Sequence, residues 1–168
     1  MIFFLIPIIF YSANLSIGQI RVSFLEAKYI LPNYVSIFWT ILCFLLFINA
    51  LNMFDGINYQ VGFFSIYICI FFIINNYFTI FFIIILISLL SFLILNGQNK
   101  AFLGDNGSYL LAFLFSYFFV KMYNQNFNIN SDHIFLIMII PGIDLIRLFL
   151  TRVAKGYSPF KPDRNHLH

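Results

Sequence analysis

Charged side chains are scarce in this chain of 168 residues: they make up 9% of it, whereas 62% of the residues are hydrophobic. Residues 1–20, 29–54 and 56–99 contain no charged side chain at all. As one helix, the last of these runs would be about 66 Å long, roughly twice the thickness of a bilayer's hydrocarbon core. A soluble domain would hold about a quarter charged residues. The scarcity therefore excludes a soluble globule, a disordered tail and a nucleic-acid-binding protein.

Cysteine is equally scarce. Cys43 and Cys69 each lie inside an apolar run, and neither has a second cysteine or a histidine at metal-ligand spacing. We interpret both as inert packing residues. The chain also lacks the basic stretch that opens a secretory signal, because its first residues, MIFFLIPIIFY, are apolar from the second residue onward. That beginning is typical of a membrane span that has lost its first part.

Polar breaks divide the apolar sequence into about six spans, so the predicted fold class is all-α, a polytopic transmembrane helical bundle. Residues 14–33 mix charge, glycine and proline with β-branched residues, and we expect them to form an extended extracytoplasmic loop after the first span. Pro141 and Gly142 predict a kink or an end in the last span. The predicted spans are 1–13, 34–51, 58–74, 77–95, 108–122 and 133–146, followed by a cytoplasmic C-terminal segment, 147–168.

Three polar segments fall on one side of the predicted membrane, because two consecutive spans, which cross the membrane and return, separate each segment from the next. They surround Asp55, Asp105 and the residues after Pro141. Six of the nine basic residues lie on that side and three on the other. Since basic residues favour the cytoplasm, we expect a multi-pass protein of the plasma (inner) membrane whose functional face is cytoplasmic.

The first polar segment, residues 48–58, ends a predicted span. Asn49, Asn52 and Asp55 recur every three residues, so on a continuing helix they would share a face. A carboxylate and two amides at a membrane boundary can bind a nucleoside or a cation. The alternative is a helix that simply ends in polar residues.

The second polar segment, residues 96–111, carries Asp105 between Gly104 and Gly107, with Ser108 at the start of the next predicted span. Glycines allow a phosphate to approach the backbone closely, and the start of a helix offers free N–H groups to an anion. A carboxylate at this place suits Mg²⁺, which proteins hold by one or two carboxylates together with substrate phosphates. The alternative is an ordinary capped turn.

The third polar segment begins with Pro141 and runs to the end of the sequence. Asp144 and Arg147 are three residues apart and can pair on one helix face. Arg147, Thr151 and Lys155 repeat at intervals of four, which fits a helix lying along the membrane surface with its cations toward anionic headgroups or an anionic ligand.

The last eleven residues, SPFKPDRNHLH, are rigid and rich in ionisable side chains. Arg164 beside His166 and His168 indicates contact with a diphosphate, because guanidinium groups bind phosphate oxygens in pairs. Two alternatives stay open here: a weak metal site on the two histidines, and a solvated basic tail after the last span.

The sequences NALNMFDG (49–56), FLGDNGS (102–108) and PGIDLIRLFLTRVAKGYSPFKPDRNHLH (141–168) together resemble the polyprenyl-phosphate N-acetylhexosamine-1-phosphate transferases, in that family's order and hairpin spacing. These glycosyltransferases (family 4 type) are membrane enzymes that start cell-envelope glycans. The resemblance implies transfer of a sugar-1-phosphate from a UDP-linked amino sugar to polyprenyl phosphate. The products would be polyprenyl-diphospho-sugar and UMP, and the cofactor would be Mg²⁺.

The resemblance also implies a role for each matching residue. Asp105 would be the metal ligand and, with Asp55, catalytic. Asn52 and Asp55 would contact the nucleoside or align the attacking phosphate. The donor diphosphate would be bound by Arg164, His166 and His168. The other substrate-binding residues implied are Asn49, Asn58, Asn96, Gly104, Ser108 and Arg147.

Three departures from the family pattern matter. The first motif of the family often carries a second acid, in whose place this chain has Asn58, and an amide cannot bring negative charge to a metal. The family's pair of adjacent acids on an earlier cytoplasmic loop is absent, and so is the histidine that follows the position of His168. We therefore expect the chain to be part of a single transferase domain, with little activity alone.

Two other function classes stay open. A transporter should place ionisable groups near the bilayer midplane, and a non-catalytic membrane fragment would leave the three motifs unexplained. For a transferase we expect as partners a UDP-linked amino sugar, undecaprenyl phosphate and membrane lipid, allow for a homodimer, and expect no nucleic acid. The ending PDRNHLH looks more similar to the branch that initiates envelope polysaccharides, such as lipopolysaccharide, than to the peptidoglycan-precursor branch.

Overall fold

The computed structural model describes residues 11, 15–24, 28–125, 127, 129–154 and 156. Within these residues the chain is mainly helical, as the sequence predicts. Three of the described helices, Asn33–Phe54, Thr79–Gly97 and Ser131–Ala154, are long and apolar enough to cross a membrane, and Gln60–Ile74 is a shorter apolar helix. The strands are β1 (Gln19–Arg21) and β2 (Lys28–Ile30), and the helices are α1 (Asn33–Phe54), α2 (Gln60–Ile74), α3 (Thr79–Gly97), α4 (Gly104–Asn124) and α5 (Ser131–Ala154).

The helices begin and end where polar residues, proline or residues with positive φ interrupt the apolar runs. Pro32 immediately precedes α1, and Asn75 and Asn76 form the turn between α2 and α3 that the sequence predicts. Neither α1 nor α3 contains a charged residue. In hydrocarbon every backbone N–H and C=O group must be paired within the protein, which an uninterrupted helix achieves by itself.

Of the kink or end expected at Pro141 and Gly142, the end is excluded, because α5 continues through Pro141 to Ala154. A proline removes one helical N–H donor, but its fixed φ is helical and neighbouring groups in a bundle can satisfy the freed carbonyl; Pro141 is fully buried. Within residues 14–33, β1 and β2 pair antiparallel with Ile20 opposite Tyr29, a pairing that the sequence did not predict. Of the predicted first span, 1–13, only Tyr11 lies within the described residues.

Helix α1 holds the centre of the arrangement and packs against both α4 and α5, while α2 and α3 pack against each other as a hairpin. Buried aromatic rings join that hairpin to α4. The ring of Phe72 stacks on Phe82 with their centroids 4.3 Å apart and lies 4.7 Å from the ring of Phe119. These contacts fix the lateral positions of the helices whose ends carry the polar motifs.

The bundle has two distinct ends. We call one the hairpin end, after the β-hairpin formed by β1 and β2. It comprises these strands, the first turns of α1 and α5, and the last turn of α4. We call the other the aspartate end: it comprises the last turn of α1, the α1–α2 turn (55–59), the α3–α4 loop (98–103) and the first turn of α4.

Candidate functional site

The last turn of α1 and the first turn of α4 lie side by side at the aspartate end. The hydroxyl of Ser108 donates a hydrogen bond to Asn52 Oδ1 at 2.7 Å and lies 3.0 Å from the carbonyl oxygen of Asp105. Ser108 is fully buried. The Ser108–Asn52 bond joins residues 56 positions apart in the sequence. It therefore brings the first and second polar motifs together, as their predicted common side requires.

Asp55 and Asp105 are the carboxylates of this junction. Helix α1 ends at Phe54, so Asp55 caps the helix rather than continuing its face, and its N–H donates to the carbonyl of Asn52 at 3.2 Å. Burial raises the pKa of the Asp55 carboxyl above its ordinary value, and the negative charge of Asp105 raises it further. Asp105 is exposed and lies inside the first turn of α4, not in the loop before it.

A second set of contacts joins the α1–α2 turn to the α3–α4 loop. The backbone N–H of Tyr59 donates to Asn96 Oδ1 at 2.8 Å, and Asn96 Nδ2 donates to the carbonyl of Ala101 at 2.9 Å. Beside them Asn58 Nδ2 donates to Asn99 Oδ1 at 2.5 Å. Asn96 is buried, with 5% of its surface exposed. The two segments that lead to Asp55 and Asp105 are thus held together by side-chain amides.

Two glycines make this close approach sterically feasible. A Cβ atom on Gly97 would lie 1.4 Å from the hydroxyl of Tyr59, so only glycine leaves room for the ring as it is placed. Gly104 has φ +63°, in the left-handed region that other L-residues rarely adopt, and it starts α4 directly before Asp105.

The remaining residues that the sequence singles out are placed as follows. Asn49 is exposed, and its amide donates to the carbonyl of Leu45 within α1 at 2.8 Å. Arg147 pairs with Asp144, as their spacing predicts, with its Nε and Nη2 atoms 2.8 and 2.6 Å from Asp144 Oδ1. The predicted diphosphate-binding residues Arg164, His166 and His168 lie outside the described residues.

A magnesium ion fits this end of the bundle on the chemistry of its carboxylates. Burial is the larger cause of the raised pKa of Asp55 and the negative charge of Asp105 is the smaller one, and a cation bound at these carboxylates would offset both effects. Mg²⁺ needs only one or two carboxylates when substrate phosphates and water complete its coordination. Among the described residues there is no group of three or more His, Cys, Asp or Glu side chains that could hold a metal without substrate.

Three participants at this site were not predicted from the sequence: Tyr59, Asn99 and the backbone of Ala101. The sequence features that could have indicated these contacts were weak. Asn58 and Asn99 each lie next to the end of an apolar run, and Asn99 adopts φ +55°, which asparagine tolerates better than most residues. Asparagine in a turn usually indicates local turn geometry alone, so the sequence does not show that these two turns meet.

The comparison with known families decides the classification. The sequence model described as glycosyl transferase family 4 matches residues 1–123, which include both aspartates of the site. The chain belongs to glycosyl transferase family 4. This membership confirms the resemblance seen in the first two motifs, while the third motif, 141–168, lies beyond the matched residues.

Curated relatives of this family 4 chain carry one recurring name. The undecaprenyl-phosphate alpha-N-acetylglucosaminyl 1-phosphate transferase of Escherichia coli is 30% identical over 133 residues, which are 72% of this chain and 36% of the relative. The protein of the same name in Haemophilus influenzae is 34% identical over 91 residues, which are 50% of this chain and 26% of the relative. The chain thus covers well under half the length of these relatives. No solved structure matches it.

Proposed function

We propose that the protein transfers N-acetylhexosamine-1-phosphate from a UDP-linked sugar to polyprenyl phosphate, at the cytoplasmic face of the plasma membrane, to initiate a cell-envelope polysaccharide. The observation that carries the proposal is the Ser108–Asn52 hydrogen bond, which brings the segment of Asp55 against the segment of Asp105 at one end of an apolar bundle. The names of the curated relatives support the choice of reaction.

The proposed reaction exchanges one phosphorus–oxygen bond for another. An oxygen of polyprenyl phosphate forms a bond to the phosphorus that carries the sugar, and the bond from that phosphorus to the bridging oxygen breaks. UMP leaves with the bridging oxygen, and polyprenyl-diphospho-sugar remains in the membrane. Both reactants are anions, so the reaction depends on neutralising and aligning them rather than on covalent catalysis by the protein.

The roles of the two carboxylates follow from their placement. Asp105, in the first turn of α4, and Asp55, beside it, would hold Mg²⁺, which supplies positive charge to the donor diphosphate when bound. Asn52 is held at Oδ1 by Ser108, so the orientation of its carboxamide is fixed before substrate arrives. A fixed amide of this kind can donate to the nucleoside or to the attacking phosphate.

The other proposed substrate contacts surround this centre. Gly104 lets a phosphate approach the start of α4, and Asn58 lies on the α1–α2 turn. Arg147 follows Pro141 on α5, whose last turn points to the same end of the bundle because α5 starts at the hairpin end. We also assign donor binding to Asn49, Arg164, His166 and His168, as the resemblance implies.

The place of the site favours an interfacial enzyme over a transporter. A polyprenyl phosphate keeps its phosphate at the membrane surface, where a soluble nucleotide sugar can reach it. A transporter would need ionisable groups at the midplane, whereas α1 and α3 contain none and both aspartates lie at helix ends.

The test uses the full-length gene product in lipid nanodiscs with radiolabelled UDP-N-acetylglucosamine, undecaprenyl phosphate and Mg²⁺. We expect a lipid-linked labelled product and an equal amount of UMP, and neither when the lipid phosphate or the metal is omitted. Parallel reactions with UDP-N-acetylgalactosamine identify the sugar. UMP release that needs no lipid phosphate, or no lipid-linked product with either sugar, would overturn the proposal.

A further inference from the structure

The carboxamide of Asn96 lies between the two segments that carry the aspartates. Its oxygen accepts the N–H of Tyr59, and its nitrogen donates to the carbonyl of Ala101. Asn96 itself is the last buried residue of α3, one residue before the helix ends at Gly97. One side chain therefore bonds to the α1–α2 turn on one side and to the α3–α4 loop on the other.

This arrangement leaves Asn96 poorly placed to bind a substrate. A carboxamide has one acceptor and two N–H donors, and here the oxygen and the nitrogen both bond to backbone groups of the protein. Only 5% of the residue is exposed. Its bonding partners are main-chain atoms, which suits a residue that sets the position of loops.

The α1–α2 turn needs such a partner because its backbone is strained. Tyr59 has φ +72°, a left-handed conformation that bulky residues rarely adopt. The bond from Tyr59 N–H to Asn96, the Asn58–Asn99 bond and the close approach of the Tyr59 ring to Gly97 all oppose relaxation of this turn.

We propose that Asn96 is a positioning residue, which holds the Asp55 turn against the loop that leads to Asp105 and so fixes the separation of the two carboxylates. The catalytic consequence rests on the proposed function, whereas the geometric part does not. A displacement of about 1 Å in a phosphoryl-transfer site can lower the rate on the order of 100-fold. Asn96 therefore controls turnover without touching the substrate.

The geometric part is tested by the distance between spin labels at Ile57 and Lys100, which are both exposed and lie on the two segments. Cys43 and Cys69 are replaced by alanine so that only these sites react. We expect Asn96→Ala to broaden the distribution of distances between the two labels and to shift it to longer distances, as measured by pulsed electron–electron double resonance. Asn75→Ala is the matched control, because Asn75 also ends a helix but bonds only to the carbonyl of Phe71 in its own helix. An unchanged distribution in Asn96→Ala would overturn the proposal.

The catalytic part is tested by steady-state kinetics of the full-length product. We expect Asn96→Ala to lower kcat on the order of 10–100-fold with little change in KM for the UDP-sugar. Asn96→Gln keeps both the acceptor for Tyr59 N–H and the donor to Ala101 on a side chain one methylene longer, so it should recover part of kcat. A raised KM with an unchanged label distance would instead make Asn96 a substrate ligand. Absence of transfer by the unaltered protein would remove the proposed function, and the label distance would still decide the positioning role.

Discussion

The hairpin end and the aspartate end differ in the partners that their charged side chains meet. At the hairpin end the hydroxyl of Tyr123 accepts the backbone N–H of Arg21 at 2.7 Å and lies 3.0 Å from the carbonyl of Gln19. The Arg21 guanidinium lies 4.2 Å from the centre of the Tyr123 ring. Donors there meet acceptors, and a cation meets an aromatic face, which stabilises the end without any ligand.

Carboxylates show the same contrast. Asp132, at the hairpin end, accepts hydrogen bonds from both the N–H and the hydroxyl of Ser23. Asp55, at the aspartate end, shares its region with a second carboxylate, Asp105. A protein that places like charges together loses stability unless a cation arrives. The difference agrees with the proposed function, in which the aspartate end binds a charged ligand and the hairpin end holds the chain together.

The largest expected effect separates the two kinds of aspartate. In the full-length product, Asp105→Asn should lower Mg²⁺-dependent transfer by at least about 100-fold, because loss of one fixed charge-stabilising group at a reacting phosphate costs on that order. Membrane insertion and helix content should stay as they are, since Asp105 is exposed. Radiolabelled lipid product and circular dichroism measure the two quantities.

Asp132→Asn is the matched control for that substitution. It changes an acid of the hairpin end, so transfer at saturating substrate should remain close to that of the unaltered protein. Equal losses of activity in the two variants would mean that the contrast between the ends is wrong. Full activity of Asp105→Asn would remove Asp105 from the metal site.

The second prediction compares one buried hydroxyl from each end. Tyr123→Phe and Ser108→Ala each leave hydrogen-bonding groups without a partner, and each should lower the free energy of unfolding by about 1–3 kcal/mol. Only Ser108→Ala should also weaken transfer, because Ser108 holds Asn52 beside the aspartates. Thermal unfolding in detergent and the lipid-product assay provide the measurements. A stable Tyr123→Phe variant that loses activity would contradict this assignment.

The third prediction concerns pH and Asp55. Its pKa is raised in the folded protein, so between the ordinary value and the raised one the folded state binds more protons than the unfolded state. Stability attributable to this group therefore falls as the pH rises through that interval. Without divalent cations, Asp55→Asn should melt at a higher temperature than the unaltered chain at neutral pH. The difference should vanish near pH 4, close to the ordinary pKa of aspartate.

Addition of Mg²⁺ sharpens the same experiment. The ion should raise the melting temperature of the unaltered chain at neutral pH more than that of Asp55→Asn. If the variant melts at a lower temperature at every pH, the charge of Asp55 does not destabilise the folded chain as its raised pKa implies.

The smallest expected effect concerns the Asp144–Arg147 pair. The Arg147 side chain is 61% exposed and the Asp144 side chain is 20% exposed. Exposed pairs contribute less than about 1 kcal/mol, so Asp144→Asn should leave thermal unfolding nearly unchanged. A large loss of stability, measured in the same detergent, would show that this part of α5 supports the aspartate end directly.

Helix positions were the most predictable part of the structure. The expected spans 34–51, 58–74 and 77–95 correspond to α1, α2 and α3 within a few residues. Runs without charge leave few alternatives in a membrane, because the backbone must pair with itself. Helix ends were less predictable: α4 begins at Gly104 rather than near Ser108, since glycine and asparagine tolerate both helix and turn.

The pairings within the site were the least predictable part. Hairpin counting alone placed Asp55 and Asp105 on one side of the membrane. It could not place Ser108 against Asn52, or Asn96 against Tyr59, because these bonds join residues 56 and 37 positions apart in the sequence. The antiparallel pairing of β1 with β2 was missed for a related reason: each strand has only three residues, too few for an alternating pattern to appear.

The sequence by itself determined that the chain is helical and apolar, that Asp55 and Asp105 lie at the ends of apolar runs, and that its motifs resemble those of sugar-1-phosphate transferases. These properties follow from the amino-acid composition and from the order of residues along short segments, and neither depends on how the helices pack. The tertiary structure decided which amide meets which backbone group and which acid is paired or left against another acid. Such pairings depend on helix packing and loop geometry, and an aspartate in a turn looks the same in sequence whether its neighbour is Ser23 or a second carboxylate.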